Sequence, residues 1–168
     1  MRDDMRILAI DPGDVESGFC LMDGYKPIHF EKANNEDLME WMSLHCPNLD
    51  AVVIEMVASY GMAVGKNVFD TCVWIGRFWQ KAFESGCWRI EQIYRMEEKK
   101  TLCHDSRAKD ANIRQALIDR FADHDKKNGK GTKTDPDWFY GFKADVWAAY
   151  AVGVTWLDKQ KDVGDGTT

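Results

Sequence analysis

The chain has 168 residues, is 45% hydrophobic and 30% charged, and carries a formal net charge of −6. That apolar content excludes a disordered chain, and the length suits one domain with a full core. Cys20, Cys46, Cys72, Cys87 and Cys103 form no CxxC pair or zinc spacing, which excludes a zinc module and leaves an odd thiol in any disulfide scheme.

No run reaches the roughly 18 apolar residues of a membrane span, and no signal-type segment opens the chain. A soluble, cytoplasmic protein with reduced thiols and no membrane partner is expected. The charge is uneven: residues 1–60 hold 4 basic and 12 acidic residues, whereas residues 61–143 hold 16 basic and 12 acidic. The middle of the chain has the cations that phosphate binding requires. Lys126, Lys127, Lys130 and Lys133 can equally be read as a solvated loop.

In chain order, residues 5–10, 17–23 and 27–31 read as three short strands joined by turns at Asp11-Pro12-Gly13 and Asp23-Gly24, an antiparallel meander. Leu38, Trp41, Met42 and His45 recur at helical spacing behind the cap candidates Asn34 and Asn35, predicting a helix over 35–45. The continuous apolar run 51–54 before Glu55 reads as a central strand. Residues 56–66 read as a mobile loop, 67–85 as a long helix ended by Ser85-Gly86, and 88–94 as a parallel-type strand.

Residues 95–109 are polar and basic, and a helix with Ile113, Ala116, Leu117 and Phe121 on one face follows. Residues 123–137 read as a flexible loop. A final helix from about 143 to 157 buries a stripe of Val146, Tyr150, Val154 and Leu157, and residues 159–168 read as a disordered tail. The order of elements predicts an α/β fold in one domain spanning residues 1–158.

Three carboxylates stand at the ends of apolar segments: Asp11, Glu55 and Asp145. A sheet of this kind gathers strand ends together, and an oxygen-only ligand set suits Mg²⁺ or Mn²⁺. The chemistry this suggests is metal-assisted phosphodiester hydrolysis.

Ile10-Asp11-Pro12-Gly13 with Gly18, Val53-Ile54-Glu55, and Lys143-Ala144-Asp145 with Val146-Trp147-Ala148-Ala149 resemble, in order, the motifs of RuvC-type Holliday junction resolvases. That family belongs to the ribonuclease H-like superfamily. Asn67 to Phe78 with Gly76 resembles its helix after the second acid. Ala108 to Ile113 resembles the form found in bacteriophage and other divergent members.

The resemblance implies a five-stranded mixed sheet flanked by helices and an endonuclease that nicks four-way DNA junctions symmetrically, leaving 5′-phosphate and 3′-hydroxyl ends. It implies two Mg²⁺ ions per site, for which Mn²⁺ can substitute, with Asp11 bridging and Glu55 and Asp145 on either side. Lys109 is the implied catalytic cation. DNA contacts are expected from Tyr60, Met62, Lys66, Asn67, Lys99, Lys100, Arg107, Lys109 and Lys143, with Tyr60 or Met62 as an apolar wedge.

A two-fold junction matches a homodimer, and the apolar excess on helix 67–85 suggests its interface, or else a helix buried between the sheet and the final helix. One departure stands out: where the family carries an acid or His three residues before its last Asp, this chain has Phe142. Asp135 and Asp137 are the substitutes within reach in sequence. A ribonuclease H-like nuclease acting on RNA or other branched DNA, a silent DNA-binding protein and an actin-like nucleotide-binding module are the alternatives.

Overall fold

The computed structural model describes residues 4–166. Strands β1 (Arg6–Asp11), β2 (Glu16–Asp23) and β3 (Lys26–Asn34) form the antiparallel meander. Helix α1 (Asn35–His45) follows, its N-terminus capped by the Asn34 side-chain oxygen, which accepts the Glu36 N–H at 2.9 Å. A 3₁₀ turn at Cys46–Asn48 leads into β4 (Ala51–Met56). Helix α2 (Lys66–Glu84) then leads to β5 (Ile90–Tyr94).

β4 pairs parallel with both β1 and β5, giving a mixed five-stranded sheet in the order β3-β2-β1-β4-β5. Two-residue alternation divides the central strands between two cores. Leu8, Ile10, Val52 and Ile54 face α1 and α2, whereas Ile7, Ala9, Ala51 and Val53 face the opposite layer. Burial on both sides is why 51–54 reads as an unbroken apolar run.

The opposite layer consists of α3 (Arg95–Cys103), α4 (Asp110–Phe121) and α5 (Ala144–Asp165). Helix α3 lies in the segment whose sequence shows only polar and basic character. The Glu97 carboxylate starts it by accepting the Tyr94 N–H at 2.8 Å, and His104 ends it in the left-handed region at φ 53°. Its one buried residue is Glu98, so no apolar period marks it.

The 123–137 segment, expected to be flexible, is organised around two carboxylates. Asp137 accepts the N–H groups of Asp123, His124, Asp125 and Trp138 at 2.6–2.9 Å. Burial works against its charge, yet these four donors hold the Asp137 carboxyl well below the usual range. Asp125 in turn accepts the N–H groups of Lys127, Asn128, Lys130 and Gly131.

Helix α5 also departs from expectation, at both its surface and its end. Every residue from Val146 to Leu157 except Ala148 is buried, since the sheet covers one side and the α3–α4 layer with the 138–142 aromatics covers the other. The helix continues to Asp165 in place of the expected tail; Asp158 accepts Tyr25 Oη at 2.6 Å and a bidentate Arg120 pair at 2.7 and 2.8 Å. Residues 167–168 lie outside the described residues. All five cysteines are free thiols, and no helix among the described residues is long and apolar enough to cross a membrane.

Two glycines let α5 sit this close. A Cβ at Gly153 would stand 2.3 Å from Met22 Sδ and 3.2 Å from the Ala9 Cβ. A Cβ at Gly18 would stand 2.3 Å from the Asp145 carbonyl oxygen, a backbone atom that cannot step aside. Gly18→Ala is therefore expected to lower stability by about 1–3 kcal/mol through overpacking. A lowered urea midpoint at unchanged slope would show it; an unaltered midpoint would contradict the close approach.

Candidate active site

Asp11 ends β1 and Glu55 lies near the end of β4, one residue beyond the Ile10–Ile54 pair. Period two places them in the rows of Ala9 and Val53, so both emerge on the α5 side of adjacent parallel strands. Across β1, Asp11 pairs with Gly18, and Gly18 lies beneath the first turn of α5, which carries Asp145. All three expected acids line one cavity of about 390 Å³, together with Arg95, Asp110 and Arg114 and an apolar wall that includes Trp147.

The Asp11 and Glu55 carboxyls act on each other across adjacent strands. Burial, and then the charge of Asp145, pushes Asp11 up to about 6; burial, and then Asp11, pushes Glu55 up to about 8. Asp145 instead meets Lys32 of β3, whose Nζ lies 2.9 Å from its Oδ2 and 3.6 Å from Glu16. Lys32 pairs with Gly18 in the β2–β3 register, so one short stretch of sheet sets both the acid and its cation.

Two further acids belong to this cluster; the sequence reading assigned Glu98 no role, and Asp110 only a place in the segment Ala108 to Ile113. Glu98 of α3 is fully buried and pushed up to about 9, by burial first and then by the charges of Glu55 and Asp11. Asp110 opens α4 and lines the cavity. Arg95 joins them, contacting Glu98 Oε1 at 3.4 Å and pairing with Asp110. For Glu98 and Arg95 the sequence signal was the density of charge after Tyr94, because these contacts cross between α3 and α4.

The position that departs from the family motif has a packing role. Phe142 is buried among Phe30, Phe139, Trp147 and Tyr150 at centroid distances of 4.6–5.5 Å. Asp135 meets His124 at 3.3 Å, and the Asp137 oxygens are consumed by backbone donors, so neither lines the cavity or substitutes there.

The expected cations are dispersed. Lys109 is exposed at the N-terminal boundary of α4, outside the cavity lining; Lys100, Arg107 and Lys143 are also exposed, and Lys99 is half-buried. Lys66 is paired with Asp70, and Asn67 is exposed at the start of α2. Tyr60 and Met62 project from the loop after β4, and Tyr60 adopts φ 49°, a sparsely populated region for a bulky residue. The cations at the cavity are Arg95 and Arg114.

Buried Oε2 atoms of both Glu55 and Glu98 have no hydrogen-bond partner, and the donor set is entirely carboxylate oxygen. Chemically these residues fit a hard divalent cation such as Mg²⁺ or Mn²⁺. Among the described residues, however, no three His, Cys, Asp or Glu side chains stand drawn together in a coordinating arrangement. Like-charge repulsion and the pairing of Asp145 with Lys32 account for the spread.

Solved structures share this architecture. The fold matches the Thermus thermophilus RuvC structure with a TM-score of 0.66 at 15% identity, covering 94% of this chain and 97% of that one. It matches T. thermophilus RuvC in complex with Holliday junction substrate at 0.66 and 14% identity, covering 94% and 96%. It matches the yeast mitochondrial Holliday junction resolvase Ydc2 at 0.60 and 14% identity, covering 97% and 82%. The chain therefore has the ribonuclease H-like fold of RuvC-type resolvases. No protein-family model and no curated protein matches the sequence.

Unfolded carboxyls titrate near 4, so raised values in Asp11, Glu55 and Glu98 mean that the folded state holds extra protons above that pH. Stability from these groups is present below about pH 4 and is lost as pH rises toward 9. The melting temperature of the ion-free protein is expected to fall between pH 5 and 8, and millimolar Mg²⁺ to restore it at pH 8. Glu98→Gln should flatten the fall; an unchanged pH profile in that variant would dissociate Glu98 from the cluster.

Proposed function

We propose that this protein is a divalent-metal-dependent endonuclease that nicks four-way DNA junctions on opposed strands, leaving 5′-phosphate and 3′-hydroxyl ends. The observation that carries this reading is the cavity that Asp11, Glu55 and Asp145 all line, on a fold shared with a resolvase solved on a Holliday junction substrate.

Asp11, Glu55 and Asp145 would hold two Mg²⁺ or Mn²⁺ ions, with Glu98 as the buried fourth acid behind them. Bound there, such ions activate a water and offset charge on the transferring phosphoryl group. The chain's own groups do the rest. Arg95 keeps Glu98 and Asp110 in place and lowers the cost of gathering acids. Arg114 offers a guanidinium at the cavity wall for the developing phosphate charge, and Lys109 lies one residue from the lining residue Asp110. Ile113, Leu117 and Trp147 restrict water on the apolar side. Tyr60 and Met62, exposed on the loop after β4, would wedge against an unstacked base at the junction centre.

Helix α2 supports a two-fold assembly. It packs on the sheet face opposite α5 through Thr71, Ile75, Phe78 and Ala82, so it is not buried between sheet and final helix. Phe69 and Phe83 on the helix, and Trp88 just beyond it, remain 62%, 54% and 83% exposed. A second copy of this chain covering that stripe would give the two-fold partner of a four-way junction.

Labelled four-way junction, matched duplex and RNA–DNA hybrid, each with Mg²⁺ or EDTA, test the activity. Symmetric nicking of the junction with Mg²⁺ is expected; preferential cutting of the hybrid would transfer the activity to RNA. Asp11→Asn should lower cleavage by about 1,000-fold or more while junction binding is kept. By sedimentation velocity, wild type should be a dimer and the double variant Phe69→Asp, Phe83→Asp a folded monomer. Monomeric wild type would remove the α2 interface.

A further inference from the structure

Beyond the acidic cavity, α4 and the 123–137 loop enclose a second one of about 550 Å³, whose lining includes Arg114, Gln115, Lys127, Asn128, Lys130 and Trp147. Arg114 and Trp147 line both cavities, so the two share a wall. The Arg114 guanidinium lies over the Trp147 ring, 5.2 Å from its centroid.

Cations outnumber acids in this lining, and none of them is ion-paired among the described residues. The acid in the lining, Asp125, has its oxygens directed to four backbone N–H groups and is not ion-paired to a lining cation. Among the described residues, no carboxylate pairs with Arg114, Lys127 or Lys130. Lys126, their neighbour, differs: its ammonium turns back to the Ala122 carbonyl at the end of α4.

The frame that presents these cations is locked. Gly129, at φ +73°, packs so closely that an added Cβ would lie 2.7 Å from Phe139 and 3.0 Å from Ile118. Gly131 bridges to Pro136, and the Asp137 carboxylate closes the base of the loop. Lys127 and Lys130 on this fixed loop, beside Arg114 of α4, bind a polyanion without first having to order a loop.

We infer that this second cavity holds a backbone phosphate of the DNA strand as it leaves the acidic cavity. The inference rests on the nuclease reading, which gives the strand its path. An acidic cavity repels the phosphates it must accept, so affinity has to come from cations beside it, and the shared Arg114–Trp147 wall makes this cavity the adjacent position.

The test is the salt dependence of binding of a fluorescent four-way junction and of a matching single strand, in EDTA. Lys127→Ala, Lys130→Ala is expected to weaken both about tenfold and to lower the slope of log K against log salt by about one to two. The paired Arg substitutions should restore both, and the melting temperature should not change. Lys133→Ala, which removes one charge from the same loop outside the lining, should leave binding and slope unaltered. An unchanged slope in the double Ala variant, or an equal loss in Lys133→Ala, would overturn the phosphate site and leave the nuclease reading standing. Loss of single-strand binding in the double variant, with no junction cleavage by wild type, would support the site while overturning the nuclease reading. Wild type that binds neither probe overturns the site as well.

Discussion

The seat of α5 on β1 and β2 is the constraint on which the rest depends. Gly153 lets the helix lie against Met22 and Ala9, and Gly18 lets its first turn rest on the β2 backbone. Because the approach is closed at both points, Asp145 can occupy only the position beside the ends of β1 and β4. The same seating buries the helix on every side through its middle and makes it the spine of one core. Past its middle it is anchored by Arg120 and Tyr25 at Asp158.

That geometry concentrates charge where folding alone would not. Asp11, Glu55 and Glu98 are all raised, chiefly by burial, and Glu55 and Glu98 each keep a buried oxygen without a partner. Groups of this kind destabilise a fold and persist where function requires them. Arg95 and Lys32 moderate the repulsion without abolishing it, and the aromatic packing around Phe142 leaves no room there for another acid.

The two faces of the sheet differ in character. One carries the acids, with Arg114 and the lysines of the 123–137 loop beside them; the other presents the apolar stripe of α2. The charge asymmetry along the chain is a one-dimensional trace of this arrangement. The acidic first third contributes Asp11 and Glu55, and the basic middle contributes Arg95, Arg114, Lys127 and Lys130. The overall charge of −6 conceals it, because affinity for a polyanion depends on where cations stand and not on their sum.

The strands, the meander, the first helix and the acids at Asp11, Glu55 and Asp145 were legible in the sequence, because turn residues, caps and apolar period act over a few residues. Alternation alone places Asp11 and Glu55 on one face once β1 and β4 are neighbours. Helix α3 was not legible, since its buried residue is the charged Glu98, held by Arg95 against the repulsion of Glu55 and Asp11 on separate strands. Nor was the order in the 123–137 loop, where the decisive partner of the backbone at Asp123 is a carboxylate 14 positions away. Local chemistry determined which segments are strands and helices and which acids end them. Only the tertiary structure decided that Glu98, Asp110, Arg95 and Arg114 join those acids, because their placement follows from packing between helices that no local pattern encodes.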